Sequence, residues 1–366
     1  MKPAGRLWIN RRRGILVAMA AVVLLAFMVL LGRDAILLRL VESVAKDRVA
    51  ADRSAQLPDG LHVGLCGAGS PMPDPRRMGP CTVVVAGSKT LVFDAGSGSA
   101  RNLSRMGFFV ARVDAVFLTH FHSDHIDGLG ELLMQRWVSG GHSEPPVVYG
   151  PNGVDRVLAG FMQAYAMDQR HRVDHHGEST LPSSGFGARA QTFELPQAGR
   201  VPVMRTEDLL VEAFAVDHAP VRPAVGYRIQ YKGRTAVISG DTVRSDAVRE
   251  AAQGVDLLVH DAMAPHLVRL IERAAESLGR TTLKQLMADI TDYHASTTDA
   301  AETAREAGVR YLLLTHIAPP LPLPGMESLF LNGADQVYPG PIRVGRDGDL
   351  ITMPAAVPDI SHRRLF

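Results

Sequence analysis

The stretch Leu118-Thr119-His120-Phe121-His122-Ser123-Asp124-His125-Ile126-Asp127-Gly128 concentrates three histidines and a carboxylate within six positions, His120 to His125. It follows directly on an apolar, β-branched run. A strand that ends in a loop throws all four side chains into one small volume, and a helix starts from Ile126. Imidazole nitrogen with carboxylate oxygen is the donor set of zinc and its neighbours. A single histidine in such a place reads as a hydrogen-bonded loop residue. Four donors at this density read as a metal site.

His120-Phe121-His122-Ser123-Asp124-His125 resembles the HxHxDH signature of the metallo-β-lactamase superfamily, and further motifs of its ribonuclease Z-like branch follow in order. Val216-Asp217-His218-Ala219-Pro220, then Val225-Gly226-Tyr227-Arg228-Ile229, resemble the third metal motif and the glycine-tyrosine strand. Ser239-Gly240-Asp241-Thr242 resembles the bridging-aspartate motif and Leu314-Thr315-His316 the last ligand. His260-Asp261-Ala262 and His294-Ala295-Ser296-Thr297 resemble the His-Glu-Ala and His-Ser-Thr motifs. Leu65 to Pro71 and Asp94-Ala95-Gly96-Ser97 resemble the first strand and turn, so the likeness runs from about residue 61 to 353.

The resemblance implies an α/β fold, a four-layer αβ/βα metallo-β-lactamase sandwich. It implies that His120, His122 and His218 hold one metal, that Asp124, His125 and His316 hold a second, and that Asp241 bridges them. The cofactors are then two divalent metal ions, with zinc preferred to manganese or iron by the ligand set. Such a pair shares a water, brings its pKa near ~7, and clamps the oxygens of a phosphoryl or sulfuryl centre. Catalysis is assigned to Asp124, His294 and Asp261, with His294 giving the leaving group its proton and Asp261 orienting it. Two departures weigh on the last pair. The family has glutamate where Asp261 stands, and Ala295 is inserted into the His-Ser-Thr motif, so His294 as a purely structural neighbour stays open.

The elements that must position these residues are short. His120, Asp241 and His316 each close an apolar run (Ala-Val-Phe-Leu, Ala-Val-Ile-Ser, Tyr-Leu-Leu-Leu), and strand ends at one sheet edge are rigid and convergent. The alternation predicts strands over 61–66, 82–85, 90–94, 115–119, 147–149, 210–216, 225–231, 235–239, 257–259 and 311–315. Helices are expected over 126–138, 153–167, 245–253, 266–278 and 298–307. Lys232-Gly233 marks a hairpin turn. Residues 177–203, rich in Gly, Pro and Ser, read as a long surface loop. Within the insertion 140–203, a lid or pocket wall is expected. His171, His175, His176 and His260 read as ordinary surface or supporting histidines.

The N-terminus departs from this pattern. Lys2, Arg6 and Arg11 to Arg13 precede Gly14 to Gly32, a run without a charge. As helix it measures roughly 28 Å, about a bilayer's hydrocarbon thickness. The expected organisation is a cytoplasmic basic segment (1–13), a transmembrane anchor (14–32), an amphipathic stalk or linker (33–57) and a hydrolase domain (58–366). That places a single-pass protein in a bacterial inner membrane with its catalytic domain in the periplasm. A cleaved signal peptide, releasing the domain to the periplasm, is the alternative. Cys66 and Cys81 are the only two cysteines, and pairing or two separate buried thiols are equally open.

The formal net charge of +1 supplies no global field to gather nucleic acid. Ribonuclease Z enzymes carry a long arm between the third-motif histidine and the bridging aspartate, and only one hairpin fits between His218 and Asp241. The Ser-x-Arg-Tyr that follows the last histidine there is Ile317-Ala318-Pro319-Pro320 here. Transfer-RNA processing is therefore disfavoured and no nucleic-acid partner is expected. The reading is an exported, arylsulfatase-like or phosphodiesterase-like hydrolase cleaving a phosphodiester or sulfate ester of a small anionic substrate. The alternatives are a lactonase-type ester hydrolase and a non-catalytic metal-binding module.

Overall fold

The computed structural model describes residues 5–50, 52–196 and 198–366, apart from the side chains of 5–17, 21, 24–26, 30, 31, 47, 48 and 50. The chain forms two compact units, Met1–Asp52 and Arg53–Phe366. In the first, a single helix, α1, runs over Gly5–Ala50. Among the described residues no helix is long and apolar enough to cross a membrane. The expected membrane partner and periplasmic placement are corrected accordingly, since no described helix supports them, while the anchor expected over 14–32 falls partly on residues outside the described side chains. The apolar run is one part of α1, which carries Arg33, Asp34, Arg39, Glu42 and Lys46 exposed along its further length. The basic segment 1–13 lies outside the described side chains.

The second unit runs β1 (Gly60–Gly67), β2 (Cys81–Ala86), β3 (Lys89–Phe93), α2 (Ser99–Met106), β4 (Val113–Phe117), α3 (Ser123–Ile126), α4 (Leu129–Gly140), β5 (Val147–Gly150) and α5 (Val154–His176). It continues with β6 (Arg189–Thr192), β7 (Val201–Arg205), β8 (Leu209–Ala215), β9 (Val225–Tyr231), β10 (Arg234–Ile238), α6 (Asp246–Ala251), β11 (Leu257–Met263), α7 (Pro265–Ser277), α8 (Thr281–Asp289) and α9 (Thr297–Glu306). It closes with β12 (Tyr311–Ala318), α10 (Met326–Leu331), α11 (Ala334–Val337), β13 (Ile342–Val344), β14 (Asp349–Pro354) and β15 (Ser361–Arg364).

These strands form two sheets, ordered β15-β14-β1-β2-β3-β4-β5-β6 and β13-β12-β11-β10-β9-β8-β7. Each sheet is antiparallel at one end and parallel at the other. The parallel ends need crossovers, which helices supply, and strands covered on both faces lose their alternation. β11 is buried at every position, as its unbroken apolar start requires. Where the chain must reverse tightly, between β9 and β10, Lys232 and Gly233 take φ of 44° and 82°.

The inner faces of the two sheets share one apolar core from Leu61, Phe93 and Phe117 on one side to Tyr227, Ile229 and Val259 on the other. The outer faces are covered by α2, α4 and α5 on the first sheet and by α6, α9, α10 and α11 on the second. Phe93, Phe117 and Tyr149 stack at successive 4.7 Å centroid spacings. Tyr227 meets Phe93 and Phe117 edge-on, and its hydroxyl donates to the Leu118 carbonyl at 2.6 Å. Buried aromatic area of this kind stabilises by roughly 1.5–3 kcal/mol per ring. The Tyr227 bond also ties the second sheet to the strand end that carries His120.

Residues 177–203 are not one loop: β6 and the start of β7 lie within them. β6 is an edge strand exposed at most positions, which removes the apolar alternation by which a strand is read. Cys66 and Cys81 are joined in a disulfide with Cα atoms 5.0 Å apart, bridging the ends of β1 and β2.

Candidate metal centre

Each donor sits at a strand end or in the turn just beyond. His120 follows β4, and His122 caps the short α3 that carries Asp124 and His125. His218 follows β8, Asp241 follows β10, and His316 lies near the end of β12. The two sheets therefore contribute from facing edges. Three donor groups result: His120, His122, His218 and Asp241; Asp124, His125 and His316; and Asp241, His294 and His316, with the donor atoms of each group within 4.8 Å of one another.

Asp241 is the hub. Its Oδ2 lies 3.2 Å from His125 Nε2, 3.3 Å from His316 Nε2, 3.8 Å from His120 Nε2 and 3.9 Å from His218 Nε2. Asp124 Oδ2 lies 3.3 Å from His316 Nε2 and 3.5 Å from His125 Nε2. Burial alone would raise the Asp241 carboxyl. The imidazoles of His316 and His125 outweigh it and hold Asp241 well below the usual carboxylate range. Burial likewise pushes His120 well below the ordinary imidazole value, with repulsion from His125 adding to it.

The rings are aimed by their other nitrogens. His125 Nδ1 lies 2.8 Å from Asp94 Oδ2, His218 Nδ1 2.9 Å from the Tyr293 carbonyl, and His120 Nδ1 3.0 Å from Thr119 Oγ1. That leaves Nε2 of His218 buried without a hydrogen-bond partner, facing the carboxylate hub. A ring anchored through one nitrogen, with the other presented bare to a cluster of like donors, is the arrangement a bound divalent ion completes. The donor set fits that chemistry.

Asp94 was not singled out as a site residue by its sequence. Its carboxylate takes Thr119 N and Thr119 Oγ1, both at 2.8 Å, besides His125. Its φ of 56°, like the 49° of His316, is a left-handed conformation held by the surroundings. The signal available in the sequence was a carboxylate closing an apolar strand before Ala-Gly. Its partner is 31 positions away, which no local pattern shows.

His294 and Asp261 are also brought together. His294 Nδ1 lies 3.2 Å from Asp261 Oδ2, which also accepts from Thr242 N at 3.3 Å. Ala295, next to His294, runs beside β11, its carbonyl accepting from Met263 N at 2.9 Å. The His294 ring stacks on His316 at 4.9 Å. His260 is fully buried beside Asp261, whereas His171, His175 and His176 lie on α5 outside the donor groups.

A family model described as a beta-lactamase superfamily domain matches residues 89–317. The chain belongs to the metallo-β-lactamase superfamily. A protein named Ribonuclease Z from Mycobacterium bovis is 35% identical over 290 residues, covering 78% of this chain and 96% of that protein. One of the same name from Mycolicibacterium gilvum is 35% identical over 289 residues, covering 78% and 94%. Among solved structures, the metallo-β-lactamase fold protein YhfI from Bacillus subtilis has a TM-score of 0.56 at 20% identity, covering 79% of this chain and 98% of that one. Human tRNase Z, short form, has a TM-score of 0.54 at 22% identity, covering 80% and 99%. Both show the shared fold.

These relatives correct several expectations. They are named Ribonuclease Z, so the arylsulfatase-like placement, the small-ester substrate and the exclusion of nucleic acid do not hold. The argument from the missing arm fails for a visible reason. The M. bovis alignment takes in almost the whole relative over 290 positions and 78% of this chain, so that relative has no long inserted arm either. The argument from net charge fails because a sum over the chain says nothing of where charge is concentrated. Family, donor groups and relatives together support a metal-dependent hydrolase.

Proposed function

We propose that this chain is a metal-dependent ribonuclease of the ribonuclease Z type, cleaving a phosphodiester bond of a transfer RNA. The observation that carries the reading is 35% identity along 96% of a protein of that name. His120, His122 and His218 would hold one divalent ion and Asp124, His125 and His316 a second, with Asp241 shared, and zinc suits this nitrogen-rich set. Ions held there supply an acidified water and neutralise charge on the phosphoryl oxygens.

The remaining work falls to the chain's own groups. His294, fixed by Asp261 at 3.2 Å, presents its other nitrogen and delivers a proton to the departing oxygen. Asp261, itself held by Thr242 N, positions that ring. A second reading is supported by His294 sharing a donor group with Asp241 and His316, which would make it a ligand. Metal content of His294→Ala separates the two: unchanged content supports the proton donor, and a lost ion supports the ligand.

The test is cleavage of a transfer RNA with an extended 3′ end by the purified full chain, beside bis(p-nitrophenyl) phosphate and p-nitrophenyl sulfate. Chelator-sensitive RNA cleavage, with no sulfatase activity, is the expected result. Turnover of the sulfate ester in preference to RNA would overturn the proposal.

A further inference from the structure

A cavity of about 210 Å³ is lined by five arginines, Arg76, Arg77, Arg105, Arg346 and Arg364. None of them belongs to the donor groups. Two carboxylates also line the cavity, and both are engaged. Glu327 pairs with Arg346. Asp347 accepts from Ala68 N at 3.0 Å, Met78 N at 2.9 Å and Asn102 Nδ2 at 2.7 Å.

The arginines are less well satisfied. Arg77 is 3% exposed at its side chain, with Nε on the Gly345 carbonyl at 2.9 Å and Nη1 on Asp74 at 3.3 Å. Its buried Nη2 has no hydrogen-bond partner, the nearest carboxylate, Glu327, being 3.9 Å away. Among the described residues Arg76, Arg105 and Arg364 form no ion pair, and Arg105 lies over the Phe366 ring at 3.9 Å. Leaving a charged donor buried and unbonded costs more than leaving a neutral one so. An anion in the cavity removes that cost. Guanidinia converging from separate segments match an anion with three or more acceptor oxygens better than a planar carboxylate with two.

We propose that this cavity is a phosphate-binding site separate from the donor groups, with Arg77 Nη2 as its buried anchor and Arg76 and Arg364 at its mouth. The phosphate belongs either to the RNA substrate of the proposed activity or to a free phosphorylated compound.

The test titrates the full chain with inorganic phosphate by calorimetry, in the parent, in Arg76→Gln and Arg364→Gln, and in Asp241→Ala. The two arginines are chosen because they are exposed and spare the fold. Each is expected to weaken phosphate binding about tenfold, the worth of one charge-assisted bond, while Asp241→Ala leaves it unchanged. Binding that both arginine variants leave intact, or that only Asp241→Ala abolishes, would overturn the proposal. A second arm compares KM for transfer RNA and for bis(p-nitrophenyl) phosphate. A raised KM for RNA alone assigns the site to the substrate's phosphate, and no change in either assigns it to a free phosphorylated compound. If the chain cleaves no RNA, the ribonuclease reading falls while the calorimetry still decides the cavity.

Discussion

The donor groups and the arginine-lined cavity bury charge in the same domain by different means. In the first, eight histidines and aspartates converge, most of them from strand ends of the two sheets, and the carboxylates are held by the imidazoles beside them. In the second, the arginines come from the β1–β2 loop, the last turn of α2, the turn after β13 and the edge strand β15. Their carboxylates differ accordingly. Asp241 is buried yet held well below the ordinary range, because His316 and His125 outweigh its desolvation. Asp347 is buried too, but burial prevails over its three donors and pushes it up to about 6. Burial sets the cost of a charge, and the charges placed beside it decide the outcome.

The largest expected effect belongs to the hub. Asp241→Ala should lower turnover of any substrate by about a thousandfold or more, the several kcal/mol such a centre supplies. Elemental analysis should show lost metal in the same sample. A variant that keeps both metal and turnover would leave the donor groups with no advantage over the cavity as the reactive site. His294→Ala should follow, with a loss of about 10²–10⁴ in kcat and metal content unchanged. Asp261→Asn should give a smaller loss of the same kind, with Asp261→Glu restoring most of it. Equal losses for Asn and Glu would assign Asp261 to packing instead of positioning. Asp94→Asn comes next. With its carboxylate no longer on His125, metal affinity should drop about 10–100-fold in a chelator competition, and an unchanged affinity would detach Asp94 from the centre.

The legibility of the two regions follows from how they are assembled. His120 to His125 fall in one turn after one strand, and Asp241 and His316 close apolar runs, so residue type and position announced them together. Most strands and the longer helices were readable for the same reason, since their apolar faces repeat within a few residues. The misses have one cause in common. α2 reads Ser-Ala-Arg-Asn-Leu-Ser-Arg-Met and buries the polar Ser99 and Asn102 beside Ala100, Leu103 and Met106, and β6 is an exposed edge, so the apolar pattern is short in one and missing in the other. Asp94 gains its role from a histidine 31 positions on, and the cavity joins residues 76 and 364. A contact made only by the folded chain leaves no mark in a local window. The N-terminus is the reverse case, where a strong local pattern over 14–32 falls partly outside the described side chains and no described helix supports the membrane placement read from it.

The smallest effect tests the contrast in carboxylates directly. Asp347 takes its proton at about 6 in the folded chain against an ordinary value of 3.8, so the folded state binds that proton more tightly. Its ionised form therefore costs stability above pH 6, by roughly 3 kcal/mol at most. The cost disappears as pH falls through 6 toward 4. Asp347→Asn removes the charge but turns one acceptor into a donor facing an N–H, a loss of about 1–3 kcal/mol at any pH. The variant's Tm minus the parent's should therefore be higher at pH 8 than at pH 5, by a few degrees, whatever its absolute sign. Asp241 works in the other direction, because a carboxylate held low loses its stabilising contribution as pH falls. Subtracting parent from variant cancels that background and isolates Asp347. A difference that stays constant between the two pH values would mean that Ala68 N, Met78 N and Asn102 Nδ2 hold Asp347 ionised, as the imidazoles hold Asp241. The arginines of the cavity would then already face a full negative charge, and the excess of positive charge available to a phosphate would shrink by one.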